Sequence, residues 1–128
     1  MDISVVVPLF NEEESIPELF AWIERVMKAN GFSYEVIFVN DGSTDRSWEI
    51  IEELQKQSST VKGIKFRRNY GKSPALYCGF ERAEGNVVFQ AINRKDTTRC
   101  RKLYLPNYLM PRHVKFQGFI ICTTLIAD

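Results

Sequence analysis

Two strand–turn–helix signatures near the N-terminus constrain this chain more than any other feature. The first reads Ile3-Ser4-Val5-Val6-Val7-Pro8-Leu9-Phe10-Asn11-Glu12-Glu13, and the second Val36-Ile37-Phe38-Val39-Asn40-Asp41-Gly42-Ser43-Thr44-Asp45. In each, a short apolar run rich in β-branched residues, as in a buried strand, stops at acidic and amide side chains. A helix-start pattern follows. In open α/β sheets, ligands bind in the crevice at the carboxyl ends of the strands. The repeated signature therefore predicts a fold class and the sheet edge at which a site lies.

The rest of the pattern agrees. Residues 3–8 predict a first strand. Ser15-Ile16-Pro17-Glu18 has capping-box spacing ahead of a helix to about Ala29. Leu19, Ile23, Val26 and Met27 share one face of it, and Gly31 reads as its stop. Residues 35–40 predict a second strand. Ser43 or Thr44 is expected to cap a second helix, with Asp45 in its positive first turn and Trp48, Ile51 and Leu54 inside. Residues 62–67 predict a weaker third strand, because Lys62, Lys65 and Arg67 alternate with Ile64 and Phe66. Ser73 as cap and Pro74 at the first position open a third helix, which Gly85 ends. Its packing face is Ala75, Leu76, Gly79, Phe80 and Ala83, and residues 86–89 begin a fourth strand. The order βαβαβαβ predicts an α/β fold: a Rossmann-like, mostly parallel sheet with helices on both faces.

From about Gln90 the periodicity fades. Arg94, Lys95, Arg99, Arg101 and Lys102 show no apolar face, and Pro106 and Pro111 interrupt any helix. The stretch from Phe116 to Ile126 is apolar and fits a strand or a short helix. The expected division is 1–89, the α/β part, and 90–128, a divergent tail. Phe116 to Ala127 is too short for a membrane helix and contains Gly118, Thr123 and Thr124. Met1-Asp2 has no basic region and Pro8 breaks the first apolar run, so no signal peptide is expected. Cys78, Cys100 and Cys122 have no metal or redox spacing and read as free thiols of a reducing cytoplasm. A net charge of +1 provides no global field for nucleic acid, so none is expected as a partner.

The chemistry concentrates at the strand ends. Asp41 follows apolar strand residues and precedes Gly42, which permits a tight turn. A carboxylate there can accept hydrogen bonds from a base imide or a ribose hydroxyl, or can simply cap the next helix. Glu12 lies just beyond the first strand, and Phe10 could stack on a base or join the core. Phe66-Arg67-Arg68-Asn69-Tyr70-Gly71-Lys72 puts cations before a helix N-terminus, which suits a phosphate. Neither the P-loop spacing nor GxGxxG is present, so those two nucleotide folds lose support. His113, the single histidine, has no visible catalytic partner and reads as a surface residue.

Together these residues resemble the family 2 glycosyltransferases of the GT-A fold. The likeness runs through Ser4-Val5-Val6-Val7-Pro8 with Asn11-Glu12, then Val39 to Asp45, then Arg68-Asn69-Tyr70-Gly71-Lys72 with Ala75-Leu76 and Gly79-Phe80. The last block resembles the branch that transfers sugars to undecaprenyl or dolichyl phosphate. The resemblance implies that Pro8 and Phe10 flank the nucleotide base, and that Asp41 binds the base or ribose. It implies that Glu12 lines the nucleotide pocket, and that Arg68 and Lys72 approach the diphosphate or the acceptor phosphate. The implied reaction is inverting transfer of a sugar from a UDP- or GDP-sugar to a lipid phosphate, in building cell-envelope polysaccharide. The implied location is the cytoplasm, at the inner face of its membrane. A divalent Mg or Mn is expected to neutralise the leaving diphosphate.

The chain departs from that family after the fourth strand. Asp-x-Asp, the family's metal ligand, occurs nowhere, and Asp96 and Asp128 have no paired carboxylate. The half expected to carry acceptor and catalytic residues is not recognisable, so the catalytic residues are unassigned and the reading is a truncated, inactive domain. Back-translated in another frame, His113 to Asp128 can read RKVSGIHNLHDFNCGL, similar to a later stretch of the family, so an out-of-frame tail is expected. The competing readings are a non-catalytic nucleotide-binding module and a self-associating interaction domain built on an unfinished sheet edge, which would form homo-oligomers.

Overall fold

The apolar runs become adjacent strands of one sheet. The computed structural model describes residues 1–93, 113–116 and 119–125. The elements are β1 (Ile3–Leu9), α1 (Ser15–Asn30), β2 (Tyr34–Asn40), α2 (Ser47–Gln57), β3 (Val61–Lys65), α3 (Lys72–Arg82), β4 (Val87–Asn93), β5 (His113–Phe116) and β6 (Phe119–Leu125). Their order in the sheet is β3-β2-β1-β4-β6-β5. The first four strands are parallel, β6 lies antiparallel to β4, and β5 lies antiparallel to β6.

Strand alternation divides the core in two. Val5, Val7, Leu9, Val36, Phe38 and Phe89 pack with Ile16, Leu19 and Ile23 of α1 and with Ile51 and Leu54 of α2. Val6, Ile37, Val39 and Val88 face the other way, against Ala75, Leu76, Phe80 and Ala83 of α3. The division follows from right-handed crossovers. The connections through α1 and α2 step outward from β1 to β2 to β3, while α3 steps back across the sheet to β4, and so crosses the opposite face. Gly79 allows the close approach of α3, because a Cβ there would collide with Val6 Cγ1.

Several element ends differ from the sequence reading. Ser15 does not cap α1. The Ser15 and Ile16 amides already donate to the Glu12 carbonyl, so the helical turn starts earlier. Neither Ser43 nor Thr44 caps α2, which begins at Ser47 with the Asp45 carboxylate accepting the Ser47 N–H at 2.9 Å. Helix α3 opens at Lys72 after Gly71 rather than at Ser73, leaving Pro74 within the first turn, where its missing N–H costs nothing. β3 stops at Lys65, and β4 runs on to Asn93. The ambiguous apolar stretch forms β6, whose partner β4 decides between strand and helix. The stop of α1 is as expected: Gly31 adopts φ 69, and the Gly31 and Phe32 amides close on the carbonyls of Lys28 and Met27. The basic run, Pro106, Pro111, Asp96 and Cys100 lie outside the described residues.

A charge is buried among the strands away from the motif turns. Glu35 is 1% exposed on the α3 side of β2. It accepts the Ser4 hydroxyl at 2.6 Å and the Glu84 N–H at 2.8 Å, and pairs with Lys62 Nζ at 2.6 Å. Ser4 Oγ also accepts the Gly85 N–H at 2.8 Å. Burial pushes the Glu35 carboxyl up, but Lys62, Ser4 and the Glu84 amide outweigh it and hold the carboxyl below its usual range. The network ties three strands to the α3–β4 connection, at the sheet edge away from the motif turns.

Candidate functional site

The sheet changes direction at β1. Its own connection leads to β2 on one side, whereas β4 arrives on the other by way of α3. Such a switch point is where open α/β sheets bind ligands. The ladder opens there. β1 pairs with β2 as far as Leu9↔Asn40, but with β4 only as far as Val6↔Gln90. Beyond that, β4 stays with β6 through Asn93↔Phe119. Pro8 explains the parting. The Leu9 carbonyl accepts the Asp41 N–H, so Leu9 faces β2 and Pro8, one residue back, faces β4 with no N–H to give.

Three turns meet at this edge. The first follows β1, and Asn11 there has φ 53, a conformation in which Asn is enriched. The second follows β2 and is bonded to the first. The Asn11 N–H donates to Ser43 Oγ at 2.9 Å, and Asn11 Oδ1 accepts the Thr44 N–H at 2.8 Å and the Asp45 N–H at 3.3 Å. The Glu12 N–H donates to Ser47 Oγ at 3.1 Å, and the Glu13 N–H to Asp45 Oδ2 at 3.3 Å. Burial raises the Asp45 carboxyl, and hydrogen bonds from Ser47 and the Glu13 amide more than offset this, leaving it lowered.

The third turn, 66–71, is held to the second by Asp41. That carboxylate is 5% exposed. Its Oδ1 accepts the Tyr70 N–H at 2.8 Å and its Oδ2 the Gly71 N–H at 3.1 Å. Each carboxylate oxygen has a further lone pair for a ligand. The Phe66 N–H donates to the Asn40 carbonyl at 2.9 Å. The Tyr70 ring stands edge-on to Phe66 at 5.6 Å, and the Arg68 guanidinium lies 4.7 Å from the Tyr70 ring centre. Gly71, φ 97, leads into α3, whose N-terminus has no side-chain cap.

All six residues singled out from the sequence lie along this edge. Pro8 is buried in β1 and Phe10, just past it, is 44% exposed and outside both core clusters. Glu12 is half-buried in the first turn, Asp41 ends β2, Arg68 is exposed on the third turn, and Lys72 is the first residue of α3. The sequence reading passed over Asn11 as a tie between turns, and Ser47, which is fully buried. An Asn directly after a buried strand, at a spot needing positive φ, was the available signal.

The metal expected from the resemblance would sit past the end of β4, where residues 94–112 lie outside the described residues. Among the described residues no group of three His, Cys, Asp or Glu side chains could hold an ion. The end of β4, Gln90-Ala91-Ile92-Asn93, carries no carboxylate. Also among the described residues, no helix is long and apolar enough to cross a membrane.

A parallel β3-β2-β1-β4 sheet, helices on both faces and turns gathered at the switch point define a GT-A-like α/β architecture. TarS 1–349 of S. aureus shares it with a TM-score of 0.61 at 27% identity, over 77% of this chain and 30% of that one. The same protein has been solved with UDP and with UDP-GlcNAc. Glucosyl-3-phosphoglycerate synthase of Mycobacterium tuberculosis, in complex with Mn2+, UDP and phosphoglyceric acid, aligns over 70% of this chain and 31% of its own at TM-score 0.52 and 26% identity.

The chain belongs to glycosyl transferase family 2, whose profile matches residues 4–90. It is 41% identical over 88 residues to the bactoprenol glucosyl transferase of Shigella phage SfV, covering 69% of this chain and 29% of the relative. It is 39% identical over 87 residues to the undecaprenyl-phosphate 4-deoxy-4-formamido-L-arabinose transferase of Pseudomonas fluorescens (strain SBW25), covering 67% and 26%. The chain thus spans 26–29% of the length of these relatives.

Proposed function

We propose that this chain is the nucleotide-sugar-binding half of a glycosyltransferase that moves a sugar, with inversion, from a UDP- or GDP-sugar to a polyprenyl phosphate. The observation that carries the reading is a coincidence of position. The segment matched by the family, residues 4–90, holds all three turns of the switch-point edge. The curated relatives are named for bactoprenol and undecaprenyl-phosphate transfer, which supports the lipid acceptor. In this reading the exposed ring of Phe10 stacks on the base beside Pro8. Asp41 offers its remaining lone pairs to base or ribose, and Glu12 lines the pocket. Arg68 and Lys72, beside the positive N-terminus of α3, meet the diphosphate. A nucleotide-sugar donor together with a lipid-phosphate acceptor supports the cytoplasmic face of the membrane as the site of reaction.

A second reading has its own observation. The sequence contains no Asp-x-Asp, which supports a chain that by itself binds the nucleotide without transferring the sugar. No step through a metal is assigned to it.

Phe10→Ala separates stacking from packing. With Phe10 44% exposed, the variant is expected to melt almost as the parent does. Its affinity for the preferred nucleotide is expected to fall by about 1–2 kcal/mol, as for loss of one base-stacking ring. Calorimetric titration alongside thermal unfolding checks both. A lower melting temperature with unchanged affinity would return Phe10 to the core.

A further inference from the structure

The first two turns behave as one clasp, and Asn11 is its hub. Its side-chain oxygen takes the Thr44 and Asp45 amides, while its own amide goes to Ser43 Oγ. Bonds therefore run both ways between residue 11 and residues 43–45, more than thirty positions apart in the chain. Phe10 stands next to Asn11 on one lip. Asp41 stands on the other, and holds Tyr70 and Gly71 of the third turn. Asn11 touches none of the groups expected to meet a nucleotide through its side chain, yet it links the turn that carries Phe10 to the turn that carries Asp41.

We propose that Asn11 is a positioning residue for nucleotide binding: it sets the spacing of the two lips, and through Asp41 the placement of the third turn. The proposal rests on the nucleotide-binding reading above. Its hydrogen bonds to residues 43–45 are solvent-exposed, so water can replace them and the fold survives their loss. What goes with them is the pre-organisation of the slot, which a ligand would then have to restore on binding.

The test is calorimetric titration of the full chain with UDP and with GDP, on the parent, Asn11→Gly, Asn11→Asp and Glu14→Ala, together with their melting temperatures. Asn11→Gly keeps φ 53 without strain and removes only the acceptor. It is expected to bind about ten-fold more weakly, in line with loss of pre-organised hydrogen bonds. Asn11→Asp offers a carboxylate oxygen to the same two amides and recovers most of the affinity. Glu14, exposed and without a side-chain cap bond, gives a variant that binds like the parent. Asn11→Gly binding as tightly as the parent, with only its melting temperature lowered, would overturn the proposal and leave Asn11 a purely structural residue. Asn11→Asp as weak as Asn11→Gly would overturn it too. A folded parent that binds neither nucleotide would instead remove the nucleotide reading, and this proposal with it.

Discussion

Gly42→Ala is expected to lower stability by roughly 3 kcal/mol, about 10 °C in melting temperature, and to remove nucleotide affinity. Two costs add. Gly42 holds φ 74, where an L side chain is strained by about 1–2 kcal/mol. A Cβ there would also collide with the Arg68 carbonyl carbon and the Asn69 nitrogen, and would come within 2.7 Å of Arg68 Cα. These are backbone atoms of the third turn, which no rotamer change can clear, so overpacking adds about 1–3 kcal/mol. Relief requires the turn to move away from Asp41, which breaks the bonds to Tyr70 and Gly71. Gly31→Ala is the internal control. Gly31 has φ 69 with no atom within 4 Å of the added Cβ, so it bears the backbone cost alone. Thermal unfolding of both variants measures the difference. Equal melting temperatures would mean that the third turn does not rest on Gly42.

The second large effect lies at the opposite edge of the sheet. Lys62→Met leaves the Glu35 carboxylate buried with only the Ser4 hydroxyl and the Glu84 amide. Breaking a fully buried pair costs about 3–5 kcal/mol, and because the Lys62 side chain is 41% exposed the expectation is about 2 kcal/mol at neutral pH. The pH dependence has a definite sign. The folded carboxyl of Glu35 is lowered from its ordinary value of 4.5, so its stabilisation is present above that value and lost as pH falls through the lowered one. In Lys62→Met, burial dominates and raises the carboxyl instead, so the buried charge penalises the fold at neutral pH and that penalty is relieved as pH falls. Once Glu35 is protonated in both proteins it needs no cation, so the stability gap narrows in acid. Urea unfolding at neutral pH and near pH 4 follows this directly. A gap that widened in acid would assign the Lys62 contribution to some other group.

Local signals carried the fold a long way. The apolar runs marked β1 and β2 to within a residue or two, and the faces of α2 and α3 pack as their spacing implies, because burial of an apolar stripe is a property of short segments. On α1, Leu19, Ile23 and Met27 are buried as expected, but Val26 is only half-buried and Ile16 and Phe20 join the core instead. The element ends were less legible, for a common physical reason. Their hydrogen bonds come from far along the chain: Asp41 holds Tyr70 and Gly71 ahead of α3, and Asn11 and Ser47 tie the turn after β1 to the turn after β2. Sequence shows that an acceptor stands at a strand end, not which amide it will meet. The same limit hid the Glu35 network. A Glu within the run Tyr34-Glu35-Val36-Ile37 signals a buried charge, but its partner Lys62 counted only against β3 as a strand. The Phe116 to Ile126 stretch was ambiguous because a short apolar run suits either state, and only pairing with β4 decides it.

The site shows the same mixture. Placing the motifs at the carboxyl edge followed from strand–turn–helix order alone. That Asp41 is already bonded through both oxygens did not, nor did the opening between β1 and β4 beyond Val6↔Gln90. The acidic and amide residues of the two signatures serve first to join the turns, and this joining shapes the crevice proposed for the nucleotide.

The most direct measurement is calorimetric titration of the folded parent chain with UDP and with GDP, each in manganese and in EDTA. The account predicts saturable binding of at least one nucleotide, with the same affinity in both buffers. No heat from either nucleotide would contradict the central claim. Binding that requires manganese would contradict the assignment of a nucleotide site that works without a metal.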